Sequence, residues 1–137
     1  MILYIDTSAY LKLVIEEPES AALSNELRKA RVAGHQVVSS VLLETELHRA
    51  AHRYGIARDV IDREVAKITV ISLADSTFRR AGMFPDPLLR SLDALHLAVA
   101  IECGAAAIYT YVRRQAEAAS HIGIEVFAPS STTRRRL

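Results

Sequence analysis

Four apolar residues, Ile2-Leu3-Tyr4-Ile5, run straight into an acid, Asp6, followed by Thr7 and Ser8. Successive side chains on a strand point to opposite faces, so an unbroken apolar run implies a strand buried on both. Strands of that kind belong to parallel sheets covered by helices. An acid placed directly after one sits at the carboxyl edge of the sheet, where α/β folds bind ligands. Capping of the following helix explains Asp6 taken alone equally well, so the rest of the chain has to decide.

Four further segments read as strands: 36–39, 69–73, 105–110 and 124–127. Helical patterns lie between them at 8–15, 19–32, 40–55, 57–67, 75–84, 92–103 and 112–121. This alternation implies a mostly parallel sheet with helices on both faces. Pro18 and Glu19 open the second helix and Gly34 closes it. The chain has 137 residues, half of them apolar, which suits one domain around one core. We expect that domain to span 1–129 and a loose basic tail to follow at 130–137. Arg134, Arg135 and Arg136 in that tail read as a solvated end or as an arm that contacts phosphates.

Seventeen basic and sixteen acidic residues nearly cancel, so net charge neither demands nor excludes a nucleic-acid partner. The single cysteine, Cys103, excludes an intramolecular disulfide framework and fits a packing role in a reducing compartment. No apolar run approaches a membrane span, and Asp6 arrives too early for a signal peptide. A cytoplasmic location without membrane contact is expected.

Two more acids stand where solvent would not welcome them. Leu43, Glu46, Leu47 and Ala50 follow i, i+3, i+4, i+7 spacing, so Glu46 interrupts a core-facing stripe. A carboxylate there needs a cation, a donor or a metal; Arg49 and Arg53 are the plain candidates for an ion pair. Glu44 falls on another face and is placed to pair with His48 at i+4. Asp93 lies in Arg90-Ser91-Leu92-Asp93-Ala94-Leu95-His96-Leu97-Ala98, a helix apolar nearly all round. With Ser91 as N-cap, Asp93 occupies the first turn, which the helix dipole alone favours. That turn also lies at a sheet edge, within reach of Asp6. If Asp6, Glu46 and Asp93 converge, three charges share one cleft and call for a divalent cation. Oxygen ligands without cysteine point to Mg²⁺ or Mn²⁺, which commonly serve phosphate chemistry.

Four blocks now stand in order along nearly the whole chain. They are Tyr4-Ile5-Asp6-Thr7-Ser8-Ala9, Ser39-Ser40 through Thr45-Glu46-Leu47-His48-Arg49-Ala50, Arg90 through Ala98, and Thr110-Tyr111 before Arg113-Arg114. Together they resemble PIN-domain proteins, above all VapC toxins of bacterial VapBC toxin–antitoxin pairs. The resemblance implies a three-layer α/β/α sandwich with a mostly parallel central sheet. It implies a metal-dependent endoribonuclease acting on structured RNA such as tRNA or rRNA. It also implies a homodimer neutralised by a VapB-type antitoxin. By position, Asp6, Glu46 and Asp93 correspond to three of the family's acids, with Asp6 and Asp93 holding Mg²⁺ or Mn²⁺ and Glu46 orienting water. Thr7 or Ser8 corresponds to the polar residue beside the first acid.

The fourth acid of the family follows a Thr-Tyr-like strand end. Here that position is Val112. Valine neither ligates a metal nor caps a helix, so activity of this chain is expected to be impaired, whether the valine is natural or a deliberate substitution. Glu117 lies more than a turn farther on, a poor replacement. Arg90, Arg113 and Arg114 are candidates for holding the RNA backbone, and His96 reads as a hydrogen-bonded packing residue. Tyr10, Leu11, Leu13, Val14 and Leu23 offer core packing or a partner groove.

Other classes are weaker. A PIN protein that only dimerises and captures an antitoxin is the main alternative, favoured by Val112. A phosphatase or 5′ flap nuclease would use a similar acidic cleft, but 137 residues leave little room to grip DNA. A dinucleotide binder would need a glycine-rich turn where this chain has Asp-Thr-Ser.

Overall fold

β1 (Ile2–Ile5) is the middle strand of five, the place the unbroken apolar run requires. The computed structural model describes residues 1–130; the Arg134–Arg136 run lies outside them. After β1 come α1 (Thr7–Tyr10), a 3-10 turn (Leu11–Leu13), α2 (Ser20–Val32), β2 (Gln36–Ser40), α3 (Val41–Tyr54) and α4 (Arg58–Val65). The second half holds β3 (Thr69–Ile71), α5 (Asp75–Gly82), α6 (Ser91–Glu102), β4 (Ala107–Tyr109), α7 (Arg113–His121) and β5 (Glu125–Phe127).

All pairings are parallel, in the order β3-β2-β1-β4-β5. Alternation along β1 feeds two cores. Leu3 and Ile5 pack with Leu23, Leu27, Leu43 and Leu47 of α2 and α3 on one face. Tyr4 packs with Leu97, Val99 and Ala118 of α6 and α7 on the other. The expected three-layer sandwich is the fold observed. Tyr10 and Leu23 are buried, and Leu11, Leu13 and Val14 pack partly buried against the first core. Among the described residues no helix is long and apolar enough to cross a membrane.

Several boundaries differ from the sequence reading. The strand expected over 105–110 shortens to Ala107–Tyr109, because Ala105 N–H closes the end of α6 on Ala100 O. The strand expected over 69–73 shortens to Thr69–Ile71, the length over which β3, an edge strand, pairs with β2. The helix expected over 8–15 breaks after Tyr10 into the 3-10 turn. Cys103 lies one residue past α6 and is half-buried.

Two helix ends use glycine as expected of a left-handed cap. Gly34 follows α2 at φ 91° and Gly55 follows α3 at φ 68°. A side chain at such a φ is strained even where space is open. Gly55→Ala is therefore expected to cost about 1 kcal/mol, read as a lower urea midpoint with unchanged slope.

Candidate active site

In the strand order, β1 is followed in sequence by β2 on one side and flanked by β4 on the other, so the chain reverses direction across the sheet between β1 and β4. The carboxyl ends of two such strands leave a crevice between their departing helices. Asp6 and Thr110 stand on either side of it. Asp6 N–H bonds to Tyr109 O at 3.1 Å, and Thr110 Oγ1 donates to Asp6 Oδ2 at 2.5 Å.

Asp6 is also the N-cap of α1. Its Oδ1 accepts from Ala9 N–H at 3.0 Å and from Ser8 Oγ at 2.7 Å. The capping and ligand-edge readings of this residue are therefore compatible. The side chain is 2 % exposed. Burial pushes its carboxyl pKa upward, against the opposing pull of His96 and of the Thr110, Ser8 and Ala9 hydrogen bonds.

Asp93 enters from the first turn of α6. Arg90, not Ser91, is the N-cap: its backbone is extended and its carbonyl accepts the first helical bond, from Ala94. Ser91 is already helical. Asp93 Oδ2 takes Arg114 Nε at 2.6 Å, and its carbonyl takes Gln115 Nε2 at 3.1 Å. Through these two bonds α7 is fastened to the opening of α6.

Glu46 projects from the second turn of α3, whose N-cap Ser40 accepts from Leu42 N–H. It pairs with neither Arg49 nor Arg53. Its Oε1 accepts from Thr7 Oγ1 at 2.7 Å and lies 2.7 Å from His96 Nε2. Burial raises the Glu46 carboxyl, but His96 and Thr7 outweigh it and leave the pKa below the ordinary value. His96 does more than pack: it links Glu46 to Tyr4, whose hydroxyl is 2.7 Å from Nδ1. The expected Glu44–His48 pair does not form; His48 reaches Asp62 of α4 at 3.1 Å instead.

Asp6, Glu46 and Asp93 line one cleft of about 480 Å³, with Thr7, Ser8 and Val112. Ser8 is held between Asp6 and the Tyr111 N–H, so the two polar residues after β1 serve different acids. Val112 is half-buried in the cleft wall and is the N-cap of α7, where its side chain makes no capping bond. Its N–H goes to Thr110 Oγ1 at 3.1 Å. Arg90 and Arg113 are exposed around an adjoining hollow of about 730 Å³ that Glu117 also lines. Arg114 borders both spaces. Thr110 was overlooked as a site residue. Its signal was a polar side chain at the end of an apolar segment, the same signature that marked Asp6.

Residues 3–120 match the PIN domain family. Ribonuclease VapC46 of Mycobacterium tuberculosis is 37% identical over 131 residues, covering 93% of this chain and 98% of that protein. Ribonuclease VapC47 of the same species is 32% identical over 137 residues, covering 94% and 98%. Among solved structures, VapBC2 from Rickettsia felis, bound to a DNA fragment from its promoter, superposes with a TM-score of 0.71. It covers 95% of this chain and 100% of that one at 13% identity. A toxin–antitoxin complex from Klebsiella pneumoniae gives 0.65, covering 92% and 96% at 16% identity. At such identities these structures speak to the fold, while the family match and the ribonuclease relatives speak to descent. The chain belongs to the PIN domain family and, within it, to the VapC-type ribonuclease toxins.

Proposed function

We propose that the cleft is the active site of a metal-dependent endoribonuclease that cuts structured RNA such as tRNA or rRNA, and that Val112 impairs it. The observation that carries this reading is the meeting of Asp6, Glu46 and Asp93, from β1, α3 and α6, in one cleft with Val112 at its wall. Their oxygens are the ligand type of Mg²⁺ or Mn²⁺. Among the described residues no three His, Cys, Asp or Glu side chains gather closely enough to enclose a metal ion. An ion of the Mg²⁺ type binds through one or two carboxylates and keeps several waters. Asp6 supplies the strongest argument for fit, being a buried carboxylate with only neutral donors bonded to it.

Asp6 and Asp93 would hold the ion. When bound, it would polarise a phosphoryl oxygen and lower the pKa of a coordinated water. Glu46, held below its ordinary pKa, stays ionised and would orient a water toward the phosphodiester. Thr110 and Ser8 keep Asp6 in place. Arg114 neutralises Asp93 in the chain as it stands.

The exposed Arg90 and Arg113 guanidinium groups border the hollow beside the cleft and would take RNA phosphates. RNA affinity should then fall linearly with salt on logarithmic axes, and Arg113→Ala should reduce that slope by about 1. Filter binding across a salt series measures this; an unchanged slope removes Arg113 from the contact surface.

The partners of this reading are a VapB-type antitoxin and a second copy of the chain, in keeping with toxin–antitoxin complexes of the same fold. A second reading rests on Val112: a PIN protein without activity that still dimerises and captures its antitoxin. RNA cleavage with Mn²⁺, run beside an antitoxin pull-down, separates the two. Cleavage above background supports the nuclease; capture without cleavage supports the inactive binder.

A further inference from the structure

A line of hydrogen bonds runs under the cleft from the sheet to α3. Tyr4, on β1, is fully buried. A phenolic hydroxyl carries its proton at neutral pH and can donate it. It lies 2.7 Å from His96 Nδ1, with the two rings edge to face at 5.7 Å. His96 is 2 % exposed, and its Nε2 lies 2.7 Å from Glu46 Oε1. Thr7 Oγ1 donates to the same oxygen at 2.7 Å. Glu46 Oε2 accepts no hydrogen bond among the described residues.

A tyrosine hydroxyl that donates to Nδ1 leaves the other ring nitrogen to carry the imidazole proton. Nε2–H then donates to the carboxylate. Two donors on one oxygen fix the torsions of a long side chain and leave its second oxygen free. Resting on the nuclease reading of the cleft, we propose that His96 is a positioning residue for Glu46. Tyr4 selects the His96 tautomer, and His96 with Thr7 holds the Glu46 carboxylate in its working orientation. This role resembles the partners that orient ligating groups in metal sites, where loss costs roughly 10–100-fold in affinity or activity.

Two measurements test it. In the chain as it stands, nitrogen NMR of the histidine side chains should show His96 protonated at Nε2 and bare at Nδ1. Tyr4→Phe removes one oxygen from the core and should let the proton move to Nδ1 in part of the population. A parent protonated at Nδ1, or a Tyr4→Phe variant with the tautomer unchanged, overturns the proposal.

The second measurement is RNA cleavage with Mn²⁺ in the Val112→Asp background. His96→Leu should lower kcat by roughly 10–100-fold while KM for RNA stays nearly constant. His96→Gln, whose amide donates from nearly the same place, should restore most of the loss. A normal kcat for His96→Leu, or a glutamine as poor as the leucine, overturns the proposal. Circular dichroism checks folding; if the leucine variant is unfolded, Tyr4→Phe takes its place, and an unaltered kcat overturns the proposal. If the background cleaves no RNA at all, it is the nuclease reading that fails, and the tautomer measurement decides the arrangement of His96 by itself.

Discussion

Val112→Asp is expected to raise Mn²⁺ affinity and RNA cleavage by roughly 10–100-fold each, the range typical of a group that supports a metal site. Val112 borders the cleft that Asp6 and Asp93 share, so a carboxylate there would line the same cleft. The backbone is ready for it. Residue 112 has φ −92° and ψ 111°, the extended geometry of an N-cap, and its present side chain caps nothing. An aspartate cap contributes about 1 kcal/mol over an apolar residue. Without a divalent ion, repulsion from the nearby acids offsets this gain; with one, both effects favour the folded state. Thermal melts with and without Mn²⁺ should therefore diverge more for the variant than for the parent. Calorimetric titration with Mn²⁺ and a cleavage assay read the rest. If neither changes, position 112 has no part in the chemistry.

Asp6→Asn should abolish cleavage in that background while leaving the fold intact or more stable. If Asp6 holds the ion, its loss forfeits several kcal/mol of transition-state stabilisation, on the order of 10³-fold in rate. The fold tolerates the change because asparagine keeps one carbonyl oxygen for Ser8 and Ala9, and the Thr110 hydroxyl can turn. The folded pKa of Asp6 is raised above the ordinary value, chiefly by burial. An unfolded aspartate titrates near 3.9, so between the two values the folded chain binds more protons. Stability due to this group thus falls as pH rises through that window and stays reduced at neutral pH. Asparagine carries no such cost. Urea unfolding at pH 7 should show the variant at least as stable as the parent, with the difference shrinking as pH approaches 4. A variant much less stable at pH 7 would mean that the ionised carboxylate holds the fold together.

What could be read in advance follows from how local each signal is. Ile2–Ile5 and Asp6 announce a buried strand and its edge within five residues, because burial on both faces leaves no room for polar alternation. Glu46 betrays itself by interrupting a helical stripe. Its partner stayed hidden, since His96 is 50 residues away and no helical spacing links the two. Nearby arginines were the natural guess, but both are exposed on α3, whereas Thr7 and His96 approach from the buried side. The N-cap of α6 was misplaced by one residue for a related reason. Serine is the better capping side chain, yet the extended backbone at Arg90 sets where the helix begins. Strand length was overestimated at β3, an edge strand paired on one side alone, and at the internal β4, where the end of α6 claims Ala105.

The central position of β1 also orders events during synthesis. Asp6 is made well before the hydroxyl that secures it, since Thr110 lies 104 residues downstream. The neighbouring strand, β4, is made only after α6. A nascent chain can hold β1 against β2 early, yet the crevice has no far wall until β4 is made. The acidic pocket is thus completed only after β4 is made, and a chain terminated before β4 would carry Asp6, Glu46 and Asp93 without the far wall.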